Sequence, residues 1–198
     1  MKSLLFLSIL LSSACASSAQ MNVPELPYRE IPAAPETATA GTALARLIDG
    51  LGYRYYWATE GLRETDLDYR PSEDSRSSRE ILEHLYNLAR TIDLAVVREP
   101  NVRPLPPSPE SFAEQRRLTL EKLKHAADRM RTASDEEVQA YEMQFQRGEQ
   151  VSAFPLWNLI NGPIADALTH VGQITSFRRA SGNPQNPGVN VFMGKTRE

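Results

Sequence analysis

Apolar residues recur at steps of three and four from residue 40 to about residue 62, which is the period of one helix face. This stripe consists of Leu44, Leu47, Ile48, Leu51, Tyr55, Ala58 and Leu62. A polar stretch that contains Pro71 then interrupts the pattern. The sequence therefore predicts a first amphipathic helix that ends before this stretch.

Two further segments show the same period. The second helix is predicted to begin at about Ser77, and its inner stripe consists of Ile81, Leu85, Leu88, Ile92 and Ala95. The third is predicted to begin at Ser108, because the following Pro109 suits the first position of a helix. Its stripe includes Phe112, Leu120, Leu123, Ala127 and Met130. Ser134 and Glu137 then form a capping-box pattern, which predicts a short helical turn.

Residues 141–154 alternate instead, with Tyr141, Met143 and Phe145 separated by polar residues, and this pattern predicts a β-hairpin. A last helix is expected from Leu156 or Asn161 to Ala180, with Pro163 either in its first turn or as a kink within it. Part of the irregular tail that follows is expected to pack back on the helices. The predicted fold is therefore an all-α four-helix bundle with a small β-hairpin before the last helix.

The N-terminus has the pattern of a targeting signal. Lys2, the apolar run LLFLSILL and a stretch of small residues indicate a signal peptide over residues 1–19. Export to the periplasm or cell envelope is therefore expected. Cys15 follows the apolar run, where a bacterial lipoprotein carries its lipidated cysteine, and the alternative is ordinary cleavage after Ala16 or Ala19. The Pro-rich residues 20–38 are predicted to form a tether to a domain that covers residues 39–198.

The composition narrows the function classes. The chain has a formal net charge of -3, with 41% hydrophobic and 24% charged residues, which is typical of a globular domain. No basic cluster suggests a nucleic-acid partner. Cys15 is the only cysteine, so the mature domain is expected to have neither a disulfide framework nor a cysteine nucleophile. Contact with a membrane is expected only through a lipid anchor at Cys15.

Three ionisable residues lie on the inner faces of the predicted helices. His84 shares the inner stripe of the second helix, and Asp166 and His170 lie four residues apart on one face of the last helix. A buried carboxylate needs a partner, and a divalent metal bound by side chains of facing helices is one solution. A local hydrogen bond between Asp166 and His170 is the alternative. His125 falls on the opposite, solvent-facing side of the third helix.

The segments SSREILEHLYNLAR and IADALTHVGQITSFRRASGNP resemble the DinB family of small metal-binding four-helix bundles, and the resemblance covers about residues 40 to 185. The family commonly has one histidine on its second helix and a His-x3-His pair, often followed by Gly-Gln, on its last. His84, His170 and the pair Gly172-Gln173 match these positions, and Asp166 stands where many members have a histidine. The resemblance implies a divalent metal, Zn²⁺ or Ni²⁺, and two histidines with one carboxylate also suit Fe²⁺.

Three functions follow from these residues. The first is a metal-dependent enzyme, either a hydrolase or a thiol-dependent transferase, that acts on an unidentified small molecule. Gln173, Asn87 and Asn161 are then candidates to orient the ligands. The second is a non-catalytic envelope protein that binds a metal or a small ligand, and the third is a bundle without metal. A homodimer is a further expectation. Arg178 and Arg179 are candidates for an anionic substrate, but a solvated helix end is the preferred interpretation.

Overall fold

A computed structural model describes residues 25–197 of the chain, and its long elements are four α-helices. The predicted signal peptide and Cys15 lie outside the described residues. In chain order the helices are α1 (Ala40–Thr59), α2 (Glu64–Leu67), α3 (Ser78–Val97), α4 (Phe112–Thr132), α5 (Asp135–Gln139), α6 (Leu156–Leu159) and α7 (Ala165–Ala180), with a π-helical segment (Ile160–Ile164) between the last two. The strands are β1 (Asn101–Arg103), β2 (Glu142–Arg147), β3 (Gln150–Pro155), β4 (Val189–Asn190) and β5 (Lys195–Thr196).

The four long helices form one bundle, as predicted. Helix α4 packs against α1 and α3, and α7 packs against the same two helices. The apolar stripes meet in the centre, where the large side chains that are almost fully buried include Ile48, Leu51, Tyr53, Tyr55, Leu82, Ile92, Leu120, Leu123 and Met130. Burial of these faces, rather than intrinsic helix propensity, supplies most of the stability of such helices.

Local sequence sets most helix starts. Capping boxes begin α3 at Ser77 with Glu80, and α5 at Ser134 with Glu137, as the sequence predicted for α5. The predicted start of the third helix at Ser108 is wrong, because α4 begins at Phe112. The Ser111 hydroxyl accepts a hydrogen bond from the backbone N–H of Glu114, so Ser111 caps the helix and Pro109 lies before it.

The predicted hairpin is present and extends into a small sheet. Strands β2 and β3 are antiparallel, with Met143 opposite Phe154 and Phe145 opposite Ser152. Strand β1 adds to β2 in parallel, which the sequence did not predict, because its three residues lie inside a Pro-rich run. The hairpin therefore presents Met143, Phe145 and Phe154 on one face.

Pro163 lies in the interior of the last helix and not in its first turn, which was one of the two alternatives. Leu156 to Ala180 is helical throughout, but residues 160–164 form a π turn, in which the Ala165 N–H donates to Ile160 O. Proline has no N–H, and its ring clashes with the carbonyl four residues earlier, so a wider turn relieves both problems. The π turn thus contains one residue more than an α-helical turn, directly before Asp166.

The Pro-rich segment differs from the predicted tether over the part that the structure describes. Tyr28 is buried against α1, the Trp57 Nε1–H donates to Arg29 O, and the Ile31 N–H donates to Gly194 O. Residues 26–32 therefore pack on the bundle, where the Tyr28 ring fills the space above Gly52, whereas residues 33–38 are exposed as a tether would be. The C-terminal tail also packs back, as predicted, through the β4–β5 pair and a hydrogen bond between Tyr53 and Thr196.

Between residues 25 and 197, every helix is too short or too polar to cross a membrane.

Candidate metal centre

Helix α3 carries the first of the predicted site residues. His84 lies two turns after the Ser77 cap and one turn after Ile81, which is buried. Its side chain is 34% exposed, because it sits at the edge of the apolar stripe and not in its centre. His84 thus faces the neighbouring helix while one side of its ring remains open to solvent.

Helix α7 carries the other two residues. Asp166 and His170 are separated by four positions, and their side chains lie one above the other on the face that packs towards α3. The Asp166 carboxylate is 43% exposed and the His170 imidazole 14% exposed. The cluster therefore has a buried side at His170 and an open side at Asp166.

The three side chains meet between the two helices, as the helical phases predicted. His84 Nε2 lies 3.0 Å from Asp166 Oδ2, and His170 Nε2 lies 3.3 Å from Asp166 Oδ1. One ligand atom from each residue lies within 4.8 Å of the other two. The imidazole rings are nearly perpendicular, at 89°, with 4.8 Å between their centroids. Among the described residues, this is the one such cluster of three histidine, cysteine or acidic side chains.

The orientation of His170 is fixed by Gln173. His170 Nδ1 lies 2.7 Å from Gln173 Oε1, so the Nδ1–H donates to this amide oxygen. A neutral imidazole with a proton on Nδ1 turns the lone pair of Nε2 towards Asp166 Oδ1. Gln173 therefore lies next to a candidate ligand, where it can set the tautomer of His170.

The donor atoms suit a cation. His170 Nε2 faces a carboxylate oxygen, and in a neutral imidazole with its proton on Nδ1 both atoms are acceptors, so that a cation between them would remove their repulsion. Two neutral imidazoles and one carboxylate are a known ligand set for Zn²⁺ and for Fe²⁺. The three side chains could bind an ion from one side, and the exposed side would remain open to water or substrate.

The other two residues proposed to orient the ligands form no hydrogen bond to them within residues 25–197. The Asn87 Nδ2–H donates to Glu83 O within α3. Asn161 is exposed in the π-helical segment, on the wall of an open pocket. The hydrogen bond of Asn87 does not involve His84, Asp166 or His170, and none of these three residues lines the pocket at Asn161.

His125 is on the surface, as predicted. Its side chain is 51% exposed, and its Nδ1 contacts Asp93 Oδ1 of α3. It therefore has one carboxylate partner but belongs to no three-residue cluster within the described part of the chain.

Arg178 differs from the predicted solvated residue. It is 4% exposed, and its Nη1 donates to the carbonyl oxygens of Trp57, Ala58 and Glu60 at 2.9–3.0 Å. Burial lowers the pKa of this guanidinium below its ordinary value. Arg178 thus clamps the C-terminal end of α1 to α7, and Arg179 alone is exposed.

A second buried group holds the same end of the bundle. The Asp66 carboxylate accepts hydrogen bonds from Arg63, Ser181 and Asn183. The Arg63 guanidinium, first among these donors, holds the pKa of Asp66 well below its usual range. Together with Arg178, this network fixes the end of the helix that carries the candidate ligands.

Comparison with known proteins supports the fold. No protein-family model matches the chain, and no curated protein matches it. Among solved structures, the chain is similar to YfiT from Bacillus subtilis, described as a probable metal-dependent hydrolase with an unusual four-helix bundle topology. The TM-score is 0.52 at 14% sequence identity, and the match covers 76% of this chain and 94% of that chain. The predicted four-helix bundle is thereby confirmed.

Proposed function

We propose that the protein is a metal-dependent hydrolase of the DinB family, in which His84, Asp166 and His170 bind one divalent cation. The observation that carries this proposal is the convergence of three ligand atoms from two helices within 4.8 Å. The likeness to YfiT, a probable metal-dependent hydrolase, adds support from the fold.

The ligand set favours a borderline metal. Imidazole nitrogens suit Zn²⁺, Ni²⁺ and Fe²⁺, whereas Mg²⁺ and Ca²⁺ prefer sites made only of oxygen atoms. The Asp166 carboxylate offsets one positive charge and leaves a net charge of about +1 on the occupied site. We therefore expect Zn²⁺ or Ni²⁺, with Fe²⁺ as the alternative.

The residues of the chain have distinct tasks in such a site. His84 and His170 hold the ion from the two helices, and Gln173 keeps the Nε2 lone pair of His170 directed at it. Asp166 contributes the negative charge from the exposed side. The ion would supply Lewis acidity, which brings the pKa of a water molecule close to neutral pH. The exposed side of the cluster gives a substrate access to that position.

Export distinguishes among the enzymatic alternatives. We propose that residues 1–19 direct the protein to the cell envelope, and low-molecular-weight thiols are mainly cytoplasmic cosubstrates. This location favours hydrolysis over thiol transfer. The alternative function is a binding protein that holds a metal or small ligand without turnover.

Elemental analysis of purified, untagged protein tests the metal centre. We expect one Zn²⁺, Ni²⁺ or Fe²⁺ per chain in the wild type, and loss of that metal in His84→Ala and in His170→Ala. His125→Ala is the matched control, because His125 also contacts a carboxylate but lacks a third partner. Wild-type protein that contains no metal, and takes up none from added Zn²⁺ or Ni²⁺, would contradict the proposal.

Activity separates the enzyme from the binding protein. The metal-loaded protein is screened against ester and amide substrates, with and without a chelator. Hydrolysis that the chelator abolishes, and that His170→Ala lacks, supports the enzyme. Stoichiometric metal without turnover of any substrate in such a screen favours the non-catalytic alternative.

A further inference from the structure

An open pocket lies beside the π-helical segment, which precedes Asp166 in the chain. Its volume is about 420 Å³, and it is lined by Met143, Phe145, Phe154, Asn158, Asn161 and Gly162. The three apolar side chains come from one face of the hairpin, where Phe145 and Phe154 pack edge to face with 5.9 Å between their ring centroids. A volume of this size lies within the range of small-molecule sites and is too small for a folded partner.

The π turn brings this pocket onto the same face of the helix as the metal ligands. Asn158 precedes Asp166 by eight residues, which in a regular α-helix leaves the two side chains about 80° apart. A π turn rotates the chain by roughly 82° per residue instead of 100°, so five such residues reduce the angle to about 10°. Gly162 lies four residues before Asp166, about 6 Å along the axis. The helical phase therefore places the pocket and Asp166 on the same face, about one helical turn apart.

Aromatic side chains fill the space beyond His170, at the other end of this face of α7. Phe177 lies seven residues after His170, and its ring packs edge to face on Tyr69 with 5.6 Å between their centroids. A substrate that reaches Asp166 from its exposed side thus finds packed aromatic rings in one direction. In the other direction it finds the open pocket, whose wall at Gly162 has no atom within 4 Å of an added Cβ.

We infer that this pocket binds the apolar acyl group of an uncharged ester or amide substrate, whose carbonyl group is presented to the metal centre. This inference rests on the proposed function and adds a substrate class to it. None of the six lining residues is charged, so an ionised chain gains no partner there. Asn158 and Asn161 line the same pocket, and their carboxamides can hydrogen-bond to the polar link of the substrate.

A pair of hydroxamic acids tests the pocket apart from the metal. Acetohydroxamate carries the metal-chelating group alone, and hexanohydroxamate adds four methylene groups to it. Each fully buried methylene is worth about a fourfold gain in affinity. Because the pocket is open and buries about half of the chain, we expect hexanohydroxamate to bind the metal-loaded wild type about tenfold more tightly, as measured by calorimetry.

Two variants change the pocket, and a third is the matched control. Gly162→Leu fills the pocket, and Phe154→Ala removes a wall. Gly172→Leu makes the same replacement on α7 where a Cβ also meets nothing within 4 Å, but on the side of the helix away from His170. We expect the tenfold preference to fall below threefold in the first two variants and to persist in the control. Affinity for acetohydroxamate is expected to stay unchanged in all three.

The outcomes separate the two proposals. Equal affinities of the wild type for both hydroxamates overturn the pocket assignment and leave the metal centre intact. A preference that survives in both Gly162→Leu and Phe154→Ala overturns it as well. Failure of both hydroxamates to bind, or binding that persists in His170→Ala, refutes the metal centre and the pocket assignment with it.

Discussion

Replacement of Arg178 by methionine should destabilise the bundle more than any change at its neighbour Arg179. Methionine keeps the volume and the apolar stem but removes donors that reach three carbonyl groups at the end of α1 and the carbonyl of Asn183. Each hydrogen bond from a charged donor contributes about 1.5–3 kcal/mol. These contributions share one guanidinium and are offset by its desolvation, so we expect a net loss of about 3–4 kcal/mol.

Urea denaturation followed by circular dichroism measures this loss, and thermal melting should show a decrease in Tm of about 10 °C for a chain of this size. Arg179→Met is the matched control, and because Arg179 is exposed we expect a change of less than about 0.5 kcal/mol. Arg178→Lys keeps the charge but cannot span all the carbonyl groups, so its loss should be intermediate. If Arg178→Met and Arg179→Met unfold within about 1 kcal/mol of each other, Arg178 is no clamp.

Two further predictions concern other contacts of the bundle. Asp66→Asn should lower the free energy of unfolding by about 2 kcal/mol at pH 7, a value reduced for the exposure of its partner Arg63. Because folding depresses the pKa of Asp66, the extra stability of the wild type should begin to fall as the pH drops below the unfolded value of about 3.9. The difference between the two proteins should then shrink steadily with further acidification in urea titrations, and a difference that is constant with pH would argue against this charge effect. Gly52→Ala places a Cβ 2.4 Å from the Tyr28 ring, so it should release residues 26–32 and speed tryptic cleavage at Arg29. An unchanged cleavage rate would contradict this packing.

The long helices were predictable because each buries one regular stripe. Their ends were less so, as the start of α4 shows. Ser108 and Ser111 are both possible caps, and the pattern around Pro109 favours the first. The structure uses Ser111, whereas the Ser108 hydroxyl donates to Glu83 of α3. That contact joins residues 25 positions apart, and a local pattern carries no information about it.

The candidate metal cluster could be predicted because two of its three residues lie on one helix, where their spacing places them on one face. Asp166 and His170 share a face by spacing alone, and His84 was placed by its position among Ile81 and Leu88. The same test, applied to α7, also marks Arg178. Val171, Ile174 and Arg178 follow one another at steps of three and four, and all three are buried. The sequence thus contained the signal for the clamp, but the position of Arg178 near the helix end favoured a solvated residue.

The pocket could not be predicted, because the sequence does not show how many residues per turn the helix has at Pro163. A constant period of 3.6 residues places Asn158 about 80° away from Asp166, on a different face. Only the π turn aligns them, and proline permits that turn without requiring it, since a proline in a first turn was equally consistent with the sequence. The face of the hairpin that completes the pocket depends in turn on how β2 packs against α3. The candidate metal ligands therefore follow from local periodicity, whereas the pocket proposed to bind the substrate follows from one irregular turn.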